Sequence, residues 1–165
     1  MPSVPNPKKT KPPVPETVGA TSGPFELGKG VSSTSFGIHA PSGPALLRSD
    51  IHPKRVLLRL ENVRSSIQVP SFDVYLNVPP GADPENHPEL HAFTMSTFGL
   101  AESSRPKGDH PGDGLNMVRE VTDLYTRLSA AKDWDPKNLR VSFVAEPWDD
   151  HPVKVTVGRV SLVIE

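Results

Sequence analysis

The chain has 165 residues, and 18 Lys and Arg against 19 Asp and Glu leave a formal net charge of −1. That balance excludes a long-range field able to draw nucleic acid or an anionic membrane. With no Cys, disulfide staples, thiolate metal ligands and thiol nucleophiles are excluded as well, and no stretch is apolar enough over enough residues to be a membrane-spanning helix.

Residues 1–24 hold seven of the 20 prolines. Proline fixes φ and removes a donor, so this segment is expected to be an extended linker, spanning up to about 75 Å at polyproline rise. It has no apolar run of signal-peptide type, so the chain as written is expected to stay in the cytoplasm. A β domain is expected over 25–165, with its firm core starting near residue 54. Within it, Val31–Ile38 reads as an edge strand and Pro41–Pro44 as a turn.

Period-2 patterning then becomes regular. Val56, Leu58 and Leu60 alternate with Leu57, Arg59 and Glu61. Phe72, Val74, Leu76 and Val78 alternate with Asp73, Tyr75 and Asn77. His91–Phe98 is a further strand candidate. One helix follows, because Val121, Leu124, Tyr125 and Leu128 fall at i, i+3, i+4 and i+7, with Thr122 or Asp123 as cap. Leu139, Val141, Phe143 and Ala145 form another inward row. Val153, Val155 and Val157 share a face, and after a bulge at Gly158 so do Val160, Leu162 and Ile164. Turn signals at 78–81, 106–114 and 147–152 separate these runs. Half-buried strands at this spacing predict an all-β antiparallel sandwich, jelly-roll-like, with one short α-helix plugging one end.

Six histidines are present: His39, His52, His87, His91, His110 and His151. The number suits a paired-metal centre, but the spacing does not, because ligands usually come in short-spaced pairs on rigid elements. Only His87 and His91 stand four apart, with a Pro between them. Asp149–Asp150–His151 and Asp109–His110–Asp113 lie in turn-like loops where neighbouring carboxylates share solvent. They do not acquire the separated pKa values that acid–base catalysis needs. No Gly-x-Ser-x-Gly elbow is present, and the glycine-rich 107–114 stretch lacks the Lys-Ser/Thr and following helix of a phosphate loop. No catalytic, cofactor or metal residue is therefore assigned. Trp134 is expected over the core edge. Trp148, in a Pro- and Asp-rich loop, either marks a contact surface or folds back on its own strands.

Several stretches carry a family resemblance. Ser71–Asn77, SFDVYLN, resembles a strand of the C-terminal domain of tyrosinases and polyphenol oxidases, and the segment from Pro84 through His91–Gly99 resembles the next strand. Leu139–Ala145, LRVSFVA, and Val155–Leu162, VTVGRVSL, resemble the late and closing strands. Pro15–Thr21 resembles the linker that leaves the copper domain. The match covers roughly residues 12–165. It implies a jelly-roll-like sandwich that shields a dicopper site and holds the enzyme latent, with one bulky side chain as plug; Phe98, Leu100 and Trp148 are the candidates. It further implies that the two copper ions lie in a partner tyrosinase-type domain, in cis or in trans. That catalytic domain is absent from this sequence, so the chain is expected not to be an enzyme as it stands. The rival readings are an independent jelly-roll module for carbohydrate or protein, and a small enzyme using the His/Asp loops.

Overall fold

A computed structural model describes residues 14–39 and 55–165. Among these residues nine strands and two short α-helices run in the order β1 (Glu16–Ala20), β2 (Phe25–Leu27), β3 (Val31–Phe36), β4 (Val56–Arg64), β5 (Phe72–Leu76), β6 (His91–Met95), α1 (Leu100–Ser103), β7 (Leu115–Glu120), α2 (Thr122–Ser129), β8 (Leu139–Ala145) and β9 (Val155–Ile164), with 3-10 turns at Pro84–Asn86 and Pro88–Leu90 between β5 and β6. Two antiparallel sheets result. One has the order β1-β9-β4-β7, with β2 also on β9; the other has the order β3-β8-β5-β6.

The inward rows read from the sequence meet between the sheets. Val56, Leu58, Leu60, Phe72, Val74, Leu76, Leu139, Val141 and Phe143 are all fully buried. Phe25 tilts against Phe143, with ring centroids 5.9 Å apart. The helix stripe adds Val121, Leu124 and Leu128 to the same core, and Trp134 closes its edge, 5.7 Å from the Tyr125 ring. Burial of this apolar area is the main stabilising term.

The bulge expected at Gly158 has a counterpart. Pairing of β4 with β9 runs Glu61↔Arg159 and then Val63↔Val157, with no change of register. Both strands carry one extra residue at the same level, Asn62 and Gly158. Each strand therefore switches which parity faces the core without slipping. Asn62 takes a left-handed φ of 52°, a conformation asparagine tolerates better than most residues. A Cβ on Gly158 would stand 2.9 Å from the Asn62 Cβ and 3.1 Å from the Glu61 carbonyl. Glycine is therefore required there by space.

The structure corrects four expectations. The stretch read as linker, 1–24, contains strand β1: Val18 is fully buried, and Glu16 pairs with Ile164. A single valine flanked by Thr17 and Gly19 is too short a signal to announce a strand, and the edge of β9 supplies the pairing. The single helix becomes two, because α1 forms after β6. Strand β7 went unread because it is an exposed edge, with only Leu115 and Met117 half-buried. Neither Thr122 nor Asp123 caps α2. The Thr122 hydroxyl instead accepts from the Val56 N–H at 2.9 Å and donates to Glu120. The turn expected at Pro41–Pro44 lies outside the described residues.

Gly158→Ala is expected to destabilise the fold by about 1–3 kcal/mol, and Phe143→Ala by about 3–5 kcal/mol. Chemical denaturation of each variant measures both.

Candidate contact surface around Phe98

Thr97-Phe98-Gly99 forms the turn between β6 and α1. Three local interactions stiffen it. The Thr97 hydroxyl donates to the Val69 carbonyl at 2.8 Å, and the Leu100 N–H donates to the Thr97 carbonyl at 3.0 Å. Gly99 supplies the positive φ of 75° that starts α1. Leu100, the next residue, is 1 % exposed and pinned in the core. The chain therefore enters and leaves the turn from fixed points, and Phe98 at its apex is 94 % exposed.

Phe98 is the most exposed large hydrophobic side chain among the described residues. Burying such a ring gains about 1.5–3 kcal/mol, which this fold forgoes at residue 98. Trp148, 44 % exposed, stands across a groove of about 430 Å³. Val69 and Leu100 contribute to its lining, together with Glu102 and Arg105. The two exposed aromatics thus share one surface. Leu100 belongs to the floor of that groove and has no side-chain surface to project. Of the three candidate plugs, the structure brings Phe98 and Trp148 together and assigns Leu100 to the core.

The Trp148 loop is tied down at both ends. The Glu146 N–H donates to the Ser71 carbonyl at 2.9 Å, and Lys29 Nζ donates to the Asp149 carbonyl at 3.3 Å. Asp149 accepts from the His151 backbone N–H at 3.2 Å and meets the His151 ring. These hydrogen bonds, the ring first, hold the Asp149 carboxyl below the usual carboxylate range. Asp149 stays ionised until the pH falls through that lowered value.

The histidines do not converge. His87 Nδ1 lies 3.0 Å from Glu89 Oε1, and the ring lowers the Glu89 pKa. His91 Nε2 lies 3.1 Å from Asp73 Oδ1, which also accepts from the Thr94 hydroxyl at 2.7 Å. The His91 ring meets Tyr75 edge-on at 5.2 Å. Burial, then the Asp73 carboxylate, raises the Tyr75 hydroxyl. His110 sits in a tight turn with Lys107, and Asp113 is held by Arg64 at 3.0 Å. His39 gives its N–H to the Val18 carbonyl, and His52 lies outside the described residues. Among the described residues no group of three or more His, Asp or Glu could hold a metal ion. The described histidines do not fit a dicopper centre.

The described residues thus form an all-β antiparallel sandwich that presents two exposed aromatics, Phe98 and Trp148, on one surface. The family model described as "Domain of unknown function (DUF7868)" matches residues 14–165, and the chain belongs to that family. A curated relative, tyrosinase HcTyr1 of Hahella sp. (strain CCB-MM4), is 29 % identical over 159 residues. The match covers 94 % of this chain and 34 % of the relative, so the chain spans about a third of that tyrosinase's length. Among solved structures, latent apple tyrosinase is 18 % identical with a TM-score of 0.47, covering 86 % of this chain and 27 % of that one. A recombinant latent aurone synthase, a polyphenol oxidase, is 14 % identical with a TM-score of 0.49, covering 87 % and 26 %. The tyrosinase resemblance read from the strands is borne out.

His151→Ala is expected to raise the Asp149 pKa, with the backbone N–H of residue 151 still holding part of the lowering. A carboxyl NMR titration of the two proteins checks the direction, and an unchanged Asp149 titration contradicts it.

Proposed function

We propose that this chain is a non-catalytic shielding domain of a tyrosinase-like copper oxidase, with Phe98 as the side chain that enters the mouth of the dicopper site. The observation that carries the reading is the fully exposed Phe98 on a turn fixed at both ends. A plug must reach outward, must be apolar and aromatic to occupy a cavity shaped for phenols, and must not fold back. Phe98 meets all three conditions. Trp148 then lies at the rim of the contact, where it adds apolar area around the inserted ring.

The similarity to HcTyr1 supports the partner's identity, since a match to a third of a tyrosinase's length leaves room in that protein for a catalytic domain. In this reading the copper ions and all redox chemistry belong to the partner domain. This chain contributes only exclusion of the substrate. One inserted ring and a partly polar rim give a modest interface, which suits a cover that must be released. Tethering in one polypeptide supplies the effective concentration that such an interface needs.

A tyrosinase copper domain fused to this chain is expected to oxidise phenols slowly and to gain activity severalfold on Phe98→Ala. The same substitution in the isolated chain leaves its denaturation midpoint unchanged, because the ring touches solvent rather than core. Equal activity of the fused wild-type and Phe98→Ala enzymes, with both chains folded, would refute the assignment.

A further inference from the structure

Among the described residues five strands lie at sheet edges, β1, β2 and β7 in one sheet and β3 and β6 in the other, and β2 carries the charged Glu26 beside Lys154. On β7, the Val118 carbonyl accepts from the Arg119 side chain at 2.9 Å, and exposed Glu120 follows. The Arg119 guanidinium also lies over the Phe93 ring of β6 at 6.0 Å. On β1, the Val18 carbonyl accepts from the His39 N–H at 2.9 Å, and Pro15 precedes the strand. Charged tips, prolines and covering contacts are the usual means of protecting an edge.

Among the described residues β3 has none of these. Its sequence is Val31-Ser-Ser-Thr-Ser-Phe36, without a charge or a proline. The Ala145 N–H donates to the Gly30 carbonyl at 3.1 Å, which fixes the phase of the β3–β8 ladder. Residues 30, 32, 34 and 36 exchange bonds with β8, so the N–H and carbonyl groups of Val31, Ser33 and Ser35 point outward. All three residues are exposed, Val31 by 51 %.

We propose that this edge pairs antiparallel with the same edge of a second copy, about a two-fold axis through Ser33. Four strands from each copy would then form one continuous sheet. The edge is self-complementary about that point. Val31 of one copy meets Ser35 of the other, Ser33 meets Ser33, and the outward backbone groups satisfy each other reciprocally. The side chains at the junction are small and uncharged, so nothing repels. Charge also matches beyond the junction. An open groove of about 760 Å³ lies beside the edge, with Arg140 at one end and the Asp83–Glu85 turn along its wall. No ion pair within this chain engages Arg140, Asp83 or Glu85 among the described residues. The row holding Arg140 and Ser35 in one copy continues into Val31 and Val144 of the second, beside the second copy's acidic wall. Backbone pairing of one short strand with a polar flank buries little area, so the association is weak and reversible.

Sedimentation equilibrium of the whole chain tests this. A reversible monomer–dimer equilibrium is expected from micromolar to submillimolar concentration. Ser33→Pro removes the outward N–H and also the Ser33 hydroxyl, which lies 2.9 Å from the buried Ser142 hydroxyl, so it is expected to weaken dimerisation at least about tenfold with a small fall in the thermal midpoint. Ser33→Lys is expected to do the same, and it carries the test if the proline variant misfolds. Because the chain has no Cys, Ser33→Cys offers a single thiol, and a short bis-maleimide is expected to capture a dimer that Asn116→Cys on the β7 edge does not give. A wild-type chain monomeric throughout, or a dimer that both Ser33 variants leave intact, would overturn the pairing.

Discussion

The structure depends on the pairing of the last strand with the fourth. β9 holds β1 and β2 along one edge and β4 along the other, so one sheet is organised around a segment at the far end of the sequence. The matched extra residues, Asn62 and Gly158, let both strands change inward parity at one level and stay in register. The constraint extends to the exposed turn. Just beyond β4, the Ser65 N–H donates to Ser104 Oγ at 3.0 Å, and that hydroxyl donates to the Leu100 carbonyl at 2.7 Å. The helix that follows Phe98 is thus fastened to the end of the central strand. Nearby, a Cβ on Gly114 would stand 2.0 Å from the Val63 carbonyl, so the chain returning to β7 must pass there as glycine.

This fastening gives the exposed ring its meaning. An aromatic side chain on a free loop would collapse against the nearest apolar surface. Here the ring sits between a threonine bonded to Val69 and a leucine sunk in the core, so its exposure is imposed by the fold. Preorganisation of that kind lowers the entropy cost of insertion into a partner, which is where a small interface gains most.

The central strands were legible because their apolar residues alternate without interruption. Phe72–Leu76 and Leu139–Ala145 could be read as strands from pattern alone, and so could the stripe of α2. Two edge strands, β1 and β7, were not legible, for a physical reason. β1 and β7 each bury few side chains, and their strand state comes from a neighbour's unpaired backbone. Phe98 was named from family resemblance. Its exposure cannot be seen in the sequence, since Thr-Phe-Gly-Leu contains two apolar residues and only the three-dimensional turn decides that Leu100 enters the core while Phe98 leaves it. The histidine count suited a metal centre but the spacing did not, and in the structure His87 pairs with Glu89 and His91 with Asp73.

The measurement that bears most directly on the shielding role is a map of where residue 98 sits in a complex. A photo-reactive benzophenone side chain placed at position 98, in the chain fused to a tyrosinase copper domain, reports its neighbours by mass spectrometry after irradiation. The account predicts cross-links to residues lining the mouth of the copper cavity, lost when a phenolic competitor fills it. Cross-links confined to other surfaces, or to this domain alone, would contradict it.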